Sequence, residues 1–294
     1  MSTTMFLGDK PVNRIGFGAM QLAGPGVFGP PRDPAAARAV LRRAIEIGVD
    51  HIDTSQYYGP DVVNDLIRET LHPYPENLKL VTKVGWRRDD AGGVLPAQWP
   101  SELRAGVEEN LRSLRVERLD LVNLRLVGGG DAAIALDDQL GELQTLRREG
   151  KIDLIGLSNV EQPLVERALG LVDVAEIQNG YSIIDRRDDA LVDFAGEHRI
   201  AYVPFGPLGS AYRRGPARLA ADTTLARVAT KHGATPAQIA LAWLLARSDS
   251  MLLIPGTSSV AHLEENMAAG AIVLDDTDLA ALDAVGVSSP PQQA

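Results

Sequence analysis

Short apolar runs rich in β-branched residues alternate with longer segments of helical periodicity along almost the whole chain. The runs that read as buried strands are Arg14 to Met20 (RIGFGAM), Val49 to Asp53 (VDHID), Leu78 to Val84 (LKLVTKV), Leu119 to Leu124 (LDLVNL), Asp153 to Ser158 (DLIGLS), Val174 to Gln178 (VAEIQ), Ala201 to Phe205 (AYVPF) and Met251 to Pro255 (MLLIP). Between them, PAAARAVLRRAIEIG places Ala37, Val40, Leu41, Ala44 and Ile45 on one helical face and offers Gly48 as a C-cap. SELRAGVEENLRSL, DDQLGELQTLRREG and ADTTLARVATKHG read the same way.

Strand and helix in alternation, with no Pro/Gly/Ser linker between them, predict one domain over residues 1–294. The fold class is α/β, a (β/α)8 TIM barrel. A short N-terminal hairpin from MFLGDKPVNRI is expected across the barrel bottom, and a C-terminal helix around DDTDLAALDAV. The main competitor is a doubly wound open sheet. It lacks its dinucleotide fingerprint here, because Gln21 stands where the third glycine after Gly16-x-Gly18 belongs.

Composition narrows the partners. A net charge of −10 and a pI near 5.0 disfavour nonspecific binding to nucleic acid or anionic membranes, which need a cationic face. No apolar run approaches the roughly 18 residues of a membrane span, and MSTTMFLGDK is not patterned as a signal peptide, so a cytoplasmic location is expected. With no cysteine and five histidines that lack HExxH-type spacing, no metal site is expected.

In a barrel, chemistry sits where strands exit at the C-terminal face. The second strand runs into HIDTSQYYG, placing Asp53 at its end and Tyr58 on the following loop, and the third ends in VTKVGW with Lys83 at its exit. An ammonium beside a phenol favours phenolate and lowers a pKa of about 10, while the carboxylate holds the lysine. Such a tyrosine can protonate a developing alkoxide.

These residues bring a family into view. DTxxxYG followed by a strand-terminal lysine resembles the aldo-keto reductases, as do GFGAM, LDLVNL, IGLSN, EIQN, PLGS and IPGTSSVAHLEEN, in order over residues 12–270. VDHIDTSQYYGP, TKVGWRR and DLVNLR look most like a bacterial branch that includes pyridoxal reductases. The resemblance implies an NADPH-dependent oxidoreductase reducing an aldehyde or ketone, pyridoxal among them, with Tyr58 as proton donor and Lys83 and Asp53 tuning it. The family's fourth catalytic residue is usually histidine; Arg125 stands in that position. Arginine can orient a carbonyl oxygen, but its permanent charge prevents it from relaying a proton.

The resemblance also implies a cofactor side. Ser158, Asn159 and Gln178 match the residues that hold the nicotinamide carboxamide, and Phe205 the aromatic that stacks on its ring. Gly18, Ala19 and Met20 line the approach from the first strand. Pro207, Leu208, Ser210, Gly256, Thr257 and Ser259 belong to the loops after strands seven and eight, where phosphates are expected. Glu265 and Asn266 match adenine contacts. Gly256 and His262 occupy positions where NADP-preferring members often carry Lys and Arg, so NADP(H) is favoured, with NAD(H) as a second cofactor. Ser259, Arg213 and Arg214 are the remaining donors within reach.

Blander roles stand beside these. Arg125 can form a structural ion pair with Asp53 or Asp120. Trp86 either lines a substrate pocket or covers its rim, and His51 reads as a packed barrel residue. Gly128, Gly129 and Gly130 mark a loop rather than a phosphate cradle. Two other functions compete: a redox-sensing regulatory subunit with little turnover, which would need a basic or apolar docking face that the sequence does not display, and a Schiff-base enzyme acting through Lys83.

Overall fold

The computed structural model describes residues 4–127, 135–209 and 215–285. A seven-stranded parallel sheet runs in the order Ala201–Phe205 (β11), Val174–Gly180 (β10), Ile152–Ser158 (β9), Leu119–Arg125 (β8), Lys79–Val84 (β5), His51–Asp53 (β4) and Phe17–Gly18 (β3). It is curled, and the segment after Ser250 closes it. Tyr202 N donates to Ser250 O and Leu252 N to Tyr202 O at 2.9 and 3.0 Å on one side. On the other side Leu253 N donates to Arg14 O and Gly16 N to Leu253 O, at 2.9 and 2.8 Å. The eighth predicted strand therefore seals the barrel through two isolated parallel bridges, Tyr202 to Met251 and Ile15 to Leu253.

The first predicted strand is shorter than its apolar run. Only Phe17–Gly18 pair regularly, and Ala19–Leu22 turn into a 3-10 helix. Two local causes account for this. Pro255 has no N–H to continue the ladder, and the backbones cross closely: a Cβ on Gly18 would come 2.5 Å from Ile254 O, and one on Gly256 2.5 Å from Gly18 O. These glycines permit closure of the seam.

Each inward face has period two and changes character along its strand. Val81 leads to Lys83, Leu121 to Asn123 and Arg125, and Val203 to Phe205. At the bottom, Val81, Leu121, Val203, Leu252 and Ile254 form an apolar plug with Met5, Leu7 and Val12. Those last three come from an antiparallel hairpin of Thr4–Leu7 (β1) and Lys10–Asn13 (β2). The hairpin lies where the sequence placed it, and its burial of Leu7 and Val12 completely is what holds it there.

The outer faces pack under helices Pro34–Glu46 (α1), Val62–Leu71 (α2), Pro100–Leu114 (α3), Leu136–Arg148 (α4), Gln162–Leu169 (α5), Asp189–Glu197 (α6), Thr223–His232 (α8) and Val260–Ala268 (α10), in one continuous core. Pro236–Arg247 (α9) starts with a Thr235–Gln238 capping box and is buried nearly all round. The tail helix is Asp276–Asp283 (α11), and a short helix, Gly215–Ala221 (α7), precedes α8. One element has no counterpart in the apolar pattern. Trp86–Arg88 (β6) and Val94–Pro96 (β7) form an antiparallel hairpin over the barrel mouth, turned by Asp89, whose Oδ1 accepts from Gly93 N at 2.7 Å. No helix among the described residues is long and apolar enough to cross a membrane.

Candidate active site

The polar ends of the inward faces meet at the C-terminal mouth. Lys83 Nζ lies 2.5 Å from Asp53 Oδ1 and donates to Thr54 O at 3.1 Å, with both side chains almost fully buried. This pairing occupies the lysine as an ammonium and argues against a Schiff-base role. The same Nζ sits 5.2 Å from the centroid of the Tyr58 ring, and Tyr58 is only 5 % exposed. Asp53, Tyr58, Lys83 and Arg125 are thus gathered at one place, as the sequence predicts.

The electrostatic outcome at Tyr58 differs from the sequence expectation. Its pKa is raised rather than lowered, first by burial and then by the Asp53 carboxylate; Arg125, the Tyr57 hydroxyl and Arg88 act the other way without prevailing. A phenol out of water resists ionisation more strongly than nearby cations promote it. The consequence is a hydroxyl that keeps its proton at neutral pH, ready to be donated.

Behind the pair lies a residue that the sequence argument passed over. Gln178 Nε2 donates to Asp53 Oδ2 at 2.9 Å and to Glu176 Oε1 at 3.1 Å, and Asn123 Nδ2 donates to the same Glu176 oxygen at 2.8 Å. Glu176 is fully buried, and burial, followed by the charge of Asp53, pushes its pKa up to about 7. The available signal was the spacing in EIQN, where residues two apart on a strand share a face. His51 is a packed interior residue as expected, its pKa lowered to about 4 by burial. Tyr57, missed beside Tyr58, meets it edge to face with centroids 5.1 Å apart.

Arg125 forms no ion pair with Asp53 or Asp120. Asp53 is committed to Lys83 and Gln178, and Asp120 Oδ2 accepts from Leu80 N on the neighbouring β5 at 2.9 Å. The guanidinium is instead stacked, 4.6 Å from the Trp86 ring and 4.9 Å from the Phe205 ring, with Nη1 donating to Ser158 Oγ at 3.2 Å. Trp86 therefore lines the site, held there by the β6–β7 hairpin.

The cofactor candidates fall on the adjoining exits. Ser158 ends β9, fully buried; Asn159 follows with φ +61°, its Nδ2 donating to Leu126 O at 2.8 Å. Because both partners of Gln178 Nε2 are carboxylate oxygens, the amide orientation is fixed, and Gln178 Oε1 remains a buried acceptor without a partner among the described residues. An acceptor there, beside the Ser158 hydroxyl, fits the N–H groups of a carboxamide. Met20 and Leu208 are partly buried, whereas Ala19 is inside the core and Gly18 belongs to the barrel seam.

Around α10, Ser259 is the N-cap and accepts from His262 N at 3.5 Å, Thr257 Oγ1 accepts from Ser259 N at 3.1 Å, and His262 is exposed. The open N-terminus of this helix suits phosphate. Glu265 accepts from the Thr235 hydroxyl, which ties one of its oxygens to α9, and Asn266 is buried. Pro207 is buried and Gly256 exposed. Ser210, Arg213, Arg214 and the triple glycine at 128–130 lie outside the described residues.

Comparison with known proteins agrees with this geometry. The model of the aldo/keto reductase family matches residues 14–287. Pyridoxine 4-dehydrogenase of Escherichia coli (strain K12) is 50% identical over 287 residues, covering 97% of this chain and 98% of the relative. A crystal structure of an aldo-keto reductase from Klebsiella pneumoniae in complex with NADPH has a TM-score of 0.82 and 26% identity, covering 100% of this chain and 97% of that one. The chain therefore belongs to the aldo/keto reductase family and is an oxidoreductase acting on carbonyl groups.

Proposed function

We propose that this protein is an NADPH-dependent reductase of small aromatic aldehydes with pyridoxal as a substrate, in which Tyr58 donates the proton to the carbonyl oxygen. The observation that carries this reading is the buried Tyr58 hydroxyl, kept protonated by its environment, next to the Lys83–Asp53 pair at the barrel mouth. Asp53 fixes Lys83, and the ammonium supplies positive charge beside a phenol that becomes phenolate when its proton leaves. Lys83 therefore stabilises the charge after transfer. Trp86, with the Arg125 guanidinium stacked against it, would give a flat aromatic substrate a wall to lie beside.

NADPH, when bound, supplies the hydride. Gln178 Oε1, Ser158 and Asn159 would hold its carboxamide, Phe205 would flank the ring, and the N-terminus of α10 with Ser259 and His262 would take the 2′-phosphate side. The reading of pyridoxal rests on the E. coli relative, whose name denotes oxidation of the corresponding alcohol. The small-molecule partner is thus a carbonyl compound and its alcohol.

A panel of aldehydes including pyridoxal, followed by loss of NADPH absorbance and repeated with NADH, tests this directly. Turnover of pyridoxal to pyridoxine, with NADPH preferred, is the expected result. Absence of turnover on every aldehyde with either nucleotide would overturn it.

A further inference from the structure

We propose that Arg125 recognises an ionised oxygen on the ring carbon next to the aldehyde, which makes the preferred substrates flat aromatic aldehydes bearing an ortho oxyanion. This rests on the carbonyl-reductase reading above and specifies its substrate class. Pyridoxal is one such compound, and 2-hydroxybenzaldehyde is the simplest probe.

The guanidinium is partly buried with little to compensate it. Among the described residues its Nε, out of contact with water, has no hydrogen-bond partner, and no carboxylate lies within ion-pair distance of the guanidinium. Lys83, one strand away, shows the contrast, with a carboxylate at 2.5 Å. A desolvated cation without a counter-ion is costly. An anion that arrives with the ligand has the chemistry to serve as its partner.

Position and shape define that anion further. Arg125 pairs with Ser158 in the register of β8 and β9 and bonds its hydroxyl, so it stands on the border between the proposed cofactor side and the substrate side. It is also close enough to Tyr57 and Tyr58 to act on both phenols through space. An anion bound by Arg125 is therefore held next to the carbonyl that Tyr58 protonates. A distant acidic group would lie elsewhere; an oxygen on the neighbouring ring atom lies at the right place. Trp86 and Phe205 stack on the guanidinium and hold it in place, and the aromatic wall they add beside it suits a flat ring better than a branched aliphatic chain. The fork of N–H donors can take the ortho oxyanion on one N–H and support the aldehyde oxygen on another, which a point charge on lysine cannot reproduce.

The test compares benzaldehyde with its 2-hydroxy, 3-hydroxy and 2-methoxy derivatives in the NADPH-loaded enzyme, as kcat/KM, from below to above the phenol pKa of the 2-hydroxy compound. Dissociation constants of the same aldehydes are measured with NADP+ bound, which reads recognition without turnover. The 2-hydroxy compound should lead the 3-hydroxy and 2-methoxy compounds by about tenfold or more, as expected for a charge-assisted hydrogen bond. The lead should grow as the phenol ionises, appear in the dissociation constants, and shrink in Arg125→Met and Arg125→Lys. If benzaldehyde is reduced but the 2-hydroxy compound holds no lead in wild type, or keeps it in Arg125→Met, the assignment of Arg125 falls while the reductase reading stands. If no aldehyde is reduced, the parent reading fails and this one with it. The wild-type comparison decides the matter even if a variant does not fold.

Discussion

Tyr58 shows how one desolvated group can reverse a charge argument made from sequence. Motif spacing places Lys83, Asp53 and Arg125 around the phenol, and counting charges there predicts a lowered pKa. The structure adds burial, the largest influence, and the net direction is upward. A raised pKa means that the neutral, proton-carrying form persists to higher pH. The turnover number should therefore show no alkaline loss attributable to Tyr58 below about pH 10, the ordinary phenol value. Arg125→Met, by removing a cation that favours phenolate, should move any such limb further up. A pH–rate profile under conditions where proton transfer limits the rate checks both. An alkaline limb below pH 9 that is absent from Tyr58→Phe would contradict them.

At the scale of elements, much of the barrel is written in the sequence because the inward face of a strand is apolar at the bottom and turns polar towards the exit. The exits at Asp53, Lys83, Arg125, Ser158, Gln178 and Phe205 are legible for that reason, and all six converge. Less legible is the β6–β7 hairpin, built from the polar stretch WRRDDAGGVLP and folded by turn chemistry rather than by apolar periodicity. The first and last strands are also overestimated, since Gly18, Gly256 and Pro255 shorten them through backbone approach. Glu176 is invisible to motif matching because its meaning comes from Asn123 and Gln178 on either side of it. At the N-terminus of α10, the exposed His262 supplies no permanent charge where a 2′-phosphate is proposed to bind. His262→Arg should widen the preference for NADPH over NADH by adding a bidentate donor. Competitive cofactor titration measures this, and an unchanged ratio in a folded variant would place the phosphate elsewhere.

For the molecule as a whole, the polar cluster inside the barrel links stability to pH in two directions. Glu176, raised to about 7, faces Asp53, Lys83, Asn123 and Gln178, and contributes stability that is complete below the ordinary carboxylate pKa of about 4.3 and lost as pH rises through 7. His51, lowered from 6.5 to about 4, contributes stability that is present above pH 6.5 and lost as pH falls through 4. Between pH 5 and 6.5 the two effects oppose each other, so the wild-type thermal midpoint should change little there, fall from pH 6.5 to about 7 and then level off. The midpoint of Glu176→Gln, left with the His51 effect, should rise from pH 5 to 6.5 and stay level above it. An identical slope in the variant would show that Glu176 is not the group responsible. The same interior cluster supports the donor on which the functional account depends. The most direct measurement is the single-turnover rate of pyridoxal reduction by NADPH-loaded wild type and Tyr58→Phe, with the NADPH dissociation constant of each. The phenyl ring preserves packing but removes the proton, so the account predicts a rate lower by about 10²–10⁴-fold with cofactor affinity unchanged. A Tyr58→Phe protein that reduces pyridoxal at more than about half the wild-type rate, well above what loss of a proton donor permits, would contradict it.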